Sequence, residues 1–328
     1  MSGLDALRDR PLARLPTDPR RSRLARALAR LDRELDARAL PRIGSWFSTD
    51  WFVPDGIVGI AIPYYLASSE LVRLERTTFG IAEDATEREC LRFLRHEAGH
   101  AIDTAFRLAR QKRFRDTFGL VSAPYRACYA ADPLARGFVE NLPRWYAQSH
   151  PKEDFAETFA VWLDPRSEWR AAYAADEAAR AKLEAVDTWM HELAGERPRV
   201  ATFVPVEEAH QLAGTVGALA EKRRRARERE EPEPFLVALD ESFDRAGSKT
   251  RGQKDLAALA APVLAGVGRS TGISTASIGM LWALVERRFG FEGFGPLAVS
   301  PAHARAVLEA GLTSTIHQLT SATWLLHR

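Results

Sequence analysis

The stretch LRFLRHEAGHAIDTAFRLA, residues 91–109, decides how the rest of the chain is read. Leu91, Leu94, Ala98, Ile102 and Ala105 recur at helical spacing, and Thr86 with Glu89 three residues later forms a capping-box signature just ahead of them. On that helix His96 and His100, four apart, lie one turn above each other on a single face. Two imidazoles so placed can reach one tetrahedral zinc at about 2.0–2.1 Å. Glu97 directly follows the first histidine, where it can accept a proton from a water on the metal. An H-E-x-x-H also arises by accident on solvated helices, so the motif needs support from elsewhere in the chain.

A catalytic zinc takes three protein ligands and keeps one position open. Candidates for the third are Glu153 and Glu157, one turn apart in PKEDFAETFAVWL (151–163), Asp103, three residues past His100, and His150, just before Pro151. That second segment also reads as a helix. Pro151 suits the first turn, the acidic residues favour that end of the dipole, and Asp164-Pro165 closes it. Phe155, Phe159 and Trp162 form its buried stripe, and Ala156 and Ala160 allow close packing.

The two segments together resemble the glutamate-zincin pattern of zinc metallopeptidases: H-E-A-G-H-A-I-D at 96–103, then E-D-F-A-E at 153–157. The pattern is similar to that of the anthrax lethal factor catalytic domain, H-E-x-G-H-A-x-D followed by E-x-F-A-E. Over about residues 40–165 the chain also resembles a bacterial group of zinc-binding metallopeptidases with W-F-x-P-D-G, G-I-A-I-P and R-H-E-A-G-H-A-I-D segments; the likeness is faint in the last ninety or so residues. The resemblance implies an α+β, mainly helical, zincin-like domain with a small twisted sheet above the zinc helix. It implies one catalytic zinc held by His96, His100 and Glu153, with Glu97 as general base and peptide or amide bond hydrolysis as the reaction. It further implies Glu157 and Asp103 as supporting carboxylates that orient the ligands. Tyr146, seven residues before Glu153, matches a tyrosine facing the scissile carbonyl, where a phenol can donate to the developing oxyanion. Beside Trp145 it reads equally as an ordinary packed tyrosine.

Composition narrows the classes. An apolar content of 46% and a charged content of 27% are those of a globular protein, and a formal net charge of +2 makes no case for nucleic acid or a membrane surface. Two cysteines, Cys90 and Cys128, are too few for a disulfide framework and suit a reducing compartment. No apolar run follows the first charges, and none approaches the eighteen or so residues of a membrane span. The expected address is the cytoplasm.

Taken in order, residues 1 to about 20 read as a loose arm, and Asp18–Ala39 as an amphipathic helix on Leu24, Leu28, Leu31 and Leu35. Ile57–Ile62 reads as a strand stopped by Pro63, after the Pro54-Asp55-Gly56 turn signal. As an edge strand it could add an extended peptide, or it could simply cover the core. Residues 68–79 read as a short helix or extended link, and the zinc helix continues through RQKRFRDTFG to a cap at Gly119. Residues 120–145 are expected to form a structured loop lining a cleft, and 167–194 to be helical. A polar helix from Glu207 to Glu230 leads to the EEPEP linker. Three regions result: a catalytic domain at 1–200, a charged helix and linker at 201–234, and a helical C-terminal domain at 235–328. The last could cover the cleft, bind a protein partner or assemble copies of the chain. The reading from a different class is a zinc-binding interaction module without turnover; a general base at Glu97 argues against it.

Overall fold

The computed structural model describes residues 3–79, 86–122, 135–142, 145–227 and 253–271, with isolated positions from 278 to 313. The chain divides into two compact units, residues 1–124 with 150–230, and residues 125–149 with 231–328. It is mainly helical, with a small two-stranded sheet. Among the described residues, no helix is long and apolar enough to cross a membrane.

The first unit begins with α1 (Gly3–Arg8) and is not a loose arm. Leu7, Leu12 and Leu15 are buried, and the Leu12 and Val216 amides donate to the carbonyls of Gly214 and Arg10 at 3.0 Å each. Burying three leucines outweighs the disorder suggested by the prolines and arginines around them. Next comes α2 (Ala25–Asp36), shorter than its sequence suggests because Pro19–Arg21 forms a separate 3-10 turn capped by Asp18.

Strands β1 (Gly44–Ser48) and β2 (Gly59–Pro63) pair in parallel, Gly44 opposite Gly59 and Trp46 opposite Ala61. The link between them turns at Pro54–Ile57, with Gly56 at φ +77°, a conformation glycine adopts without strain. Phe52 then folds back onto β2 and exchanges both backbone hydrogen bonds with Ala61, at 2.9 and 3.4 Å. The edge of β2, which could have added a peptide or simply covered the core, is occupied at Ala61 by the chain's own segment. Phe203 lies over Gly44 and Gly59, where a Cβ on either glycine would meet its ring.

The segment 68–79 resolves into α3 (Ser69–Phe79), which leads to α4 (Glu87–Phe106). The continuous helix expected to run on to Gly119 breaks instead at Arg107, which adopts the left-handed conformation at φ 54°. Asp103 Oδ1 accepts the Ala109 N–H at 2.7 Å, so a side chain competes for the backbone at the break. A separate α5 (Lys112–Phe118) then ends at Gly119. Helices α6 (Pro151–Leu163), α7 (Trp169–Ala172), α8 (Glu177–Leu193) and α9 (Val216–Arg227) complete the unit. The polar helix expected from Glu207 starts only at Val216, after a 3-10 turn at Ala209–Gln211.

In the second unit the described helix is α10 (Gln253–Thr271), with Leu259, Val263 and Val267 buried. Most of the loop at 120–145, and the EEPEP linker, lie outside the described residues.

Candidate metal centre

Helix α4 is started where the sequence marks it. Thr86 Oγ1 accepts the Glu89 N–H and a Glu89 carboxylate oxygen accepts the Thr86 N–H, both at 3.1 Å. Helix α6 is started by His150, whose Nδ1 accepts the Lys152 N–H at 3.1 Å, with Pro151 in the first turn. His150 thus serves as a helix cap through that nitrogen.

The two helices pack face to face through Gly99. A Cβ at that position would sit 2.9 Å from Ala156 Cα and 3.2 Å from Phe159 Cβ. Glycine here lets the backbones approach closely enough for α6 side chains to reach the histidines.

At that contact three acceptor atoms converge. His96 Nε2 lies 3.1 Å from Glu153 Oε2, His100 Nε2 lies 3.0 Å from the same oxygen, and the two Nε2 atoms are 3.2 Å apart. His96, His100 and Glu153 are the metal-capable group found among the described residues. The tautomer supports this. Glu157 Oε1 lies 2.7 Å from His96 Nδ1, placed to accept its N–H, so that the proton His96 gives up to a metal is the one on Nε2, which faces the cluster. A carboxylate and two imidazole lone pairs gathered at this spacing fit a tetrahedral zinc, whose ligands at about 2.0–2.1 Å stand on the order of 3.3 Å apart.

A family described as "putative zinc-binding metallo-peptidase" matches residues 58–219. The match spans a little under half of the chain. The matched segment carries His96, Glu97, His100 and Glu153 together. No curated protein and no solved structure matches the chain.

The matched segment has an uneven electrostatic landscape. Burial alone would lower the His96 pKa, but Glu153 and Glu157 outweigh it and raise the imidazole to about 10. Burial likewise opposes ionisation of Glu153, yet His100 and His96 hold it well below the usual carboxylate range. Glu97 is pushed up, chiefly by burial, against the pull of the two histidines. Asp154, 2% exposed, is pushed up by burial to about 7 despite Lys182 at 2.6 Å, and its Oδ1 has no hydrogen-bond partner.

The remaining residues singled out in the sequence fall elsewhere. Asp103, buried, braces the turn after α4 through the Ala109 amide. Tyr146, half-buried, opens a 3-10 helix at Tyr146–Gln148 in the second unit, and its carbonyl accepts the Ser149 N–H. Two contributors were missed in the sequence. Gly99 could have been found by noting that a glycine in mid-helix needs a reason, and close approach is the usual one. Arg95, 2% exposed, pairs with Glu34 on α2 at 2.6 and 2.7 Å and with Asp164 at the end of α6 at 2.5 Å. Its signal was a charge on the flank of α4 turned toward α2, where apolar residues were expected.

Proposed function

We propose that this chain is a zinc-dependent peptidase or amidase in which His96, His100 and Glu153 hold the metal and Glu97 is the general base. The observation that carries the reading is the convergence of two Nε2 atoms and one carboxylate oxygen within 3.2 Å, with Glu97 beside the set and not in it. A group of three ligands, with no fourth His, Cys, Asp or Glu grouped with them among the described residues, suits a catalytic site better than a closed structural one. Zinc bound there would polarise the scissile carbonyl and bring the pKa of a water toward about 7.

The chain's own groups supply the rest. Glu97, its affinity for protons raised by burial, is suited to take a proton from the attacking water and return it to the leaving amine. Glu157 keeps His96 in the tautomer that presents Nε2.

Replacement of Glu97 by Gln tests the reading. Zinc content measured by elemental analysis should stay at one per chain while hydrolysis of a peptide mixture disappears. Retained hydrolysis would remove Glu97 from the reaction. A wild-type protein that holds zinc and hydrolyses nothing would favour the interaction module.

A further inference from the structure

The active face of α4 has one flank covered by α6 and another that α6 does not cover. Gly99 and Ala156 mark the covered flank. The other carries Glu97 and, one turn earlier on the same face, Phe93, three residues before His96 and four before Glu97. Trp51, from the link between β1 and β2, stacks on Phe93 with ring centroids 5.5 Å apart and planes 14° from parallel. Neither ring is fully buried. The neighbouring Asp50 is exposed, and its Oδ1 accepts the Trp51 N–H at 2.8 Å, which ties the carboxylate to the backbone that carries the Trp51 ring.

Asp50 differs from the other acid of the same link. Asp55 has Lys152 at 3.5 Å, whereas among the described residues Asp50 has no cationic partner.

We propose that Asp50, Trp51 and Phe93 form a subsite for a lysine or arginine side chain of the peptide substrate, next to the bond cleaved. The inference rests on the peptidase reading above and adds a substrate class to it. The aromatic faces receive the methylene stem and attract the cation, and the carboxylate accepts the hydrogen bonds of its head. An aromatic pair alone would take any apolar residue; the fixed carboxylate makes the site selective for positive charge.

The test compares the zinc-loaded wild type with Asp50→Asn and Asp50→Lys on a randomised peptide library, with cleavage sites mapped by mass spectrometry. Lysine and arginine should be enriched roughly tenfold at a position flanking the cleaved bond in the wild type. Enrichment should vanish in Asp50→Asn and give way to acidic residues in Asp50→Lys. A wild type without basic enrichment, or an Asp50→Asn protein that keeps it, overturns the subsite. A second arm uses zinc-loaded Glu97→Gln and fluorescence anisotropy with two labelled peptide pools that differ only in arginine against citrulline. Tighter binding of the arginine pool, lost on adding Asp50→Asn, supports the subsite even if the wild type cleaves nothing, an outcome that would sink the peptidase reading alone. Equal binding of both pools overturns the subsite.

Discussion

Glu157 Oε1 sits 2.7 Å from His96 Nδ1, and the glutamate has no exposure to solvent. One turn earlier on the same helix, Glu153 Oε2 faces the other nitrogen of that imidazole at 3.1 Å. Helix α6 therefore grips both edges of one ring, and the orienting contact is separable from the ligand. Glu157→Ala should weaken zinc binding by about 10–100-fold, read by competition with a chromophoric chelator. Glu157→Gln, which keeps an acceptor oxygen, should recover part of that loss; an unchanged affinity in both variants would show the contact to be idle.

Metal removal should destabilise the wild type and leave Glu153→Ala nearly untouched. A ligand that binds only the folded chain contributes about 2.7 kcal/mol at one hundred times its dissociation constant. Urea denaturation with and without excess chelator measures the difference. An equal loss in both proteins would move the third ligand away from Glu153.

Gly99→Ala places a methyl 2.9 Å from Ala156 Cα, a backbone atom that cannot swing aside. The helices must part, at a cost of about 1–3 kcal/mol typical of overpacking. Because α6 carries Glu153, zinc affinity should fall along with stability. A stable variant with normal zinc uptake would mean that α4 and α6 are further apart than described.

The proton balance at His96 is open to measurement in chelated protein. Its folded pKa is raised from 6.5 to about 10, because Glu153 and Glu157 overcome the burial that would lower it. A folded value above the unfolded one contributes stability that is complete below pH 6.5 and is lost as pH rises through 10. Denaturation midpoints of the chelated protein should therefore fall across that window. The same proton must leave when zinc binds, so calorimetry in buffers of different ionisation enthalpy should find about one proton released per metal at pH 7. A flat profile and no buffer dependence would show His96 already neutral.

Arg95 couples α2, α4 and the end of α6 through Glu34 and Asp164. Arg95→Ala leaves Glu34, 7% exposed, with only the less buried Arg30 at 3.1 Å as counter-charge, and should cost about 3 kcal/mol, the lower end for a broken buried pair. Arg95→Met with Glu34→Leu removes both charges and should restore most of the loss in urea titrations. If the double variant is as unstable as the single one, the ion pair is not what Arg95 contributes.

Much of the site's framework was legible because its signals are local. Thr86 and Glu89 announce the start of α4, and Pro151 and Asp164-Pro165 bracket α6. What escaped depends on distant partners. Leu7, Leu12 and Leu15 show no helical period among prolines and arginines, and they are buried through a pairing with residues some two hundred positions away. No glycine or proline warns of the break at Arg107, since the cause is the Asp103 side chain reaching forward to Ala109. Phe52 looked like one aromatic among several, yet it closes the strand that a substrate seemed free to join.

The pairing of Pro11 with Thr215 also bears on how this protein can be rearranged. It brings the two extremities of the first unit side by side, so that its backbone nearly describes a closed loop. A short bridge from Arg227 to Gly3, with new termini opened at the exposed Gly56 turn and residues 125–149 retained as the link between the unit's two halves, should yield a circular permutant of residues 3–227 with the unit's helices in their original places. The order in which α4 and α6 leave the ribosome would be kept, while the arm that now emerges first would be synthesised late.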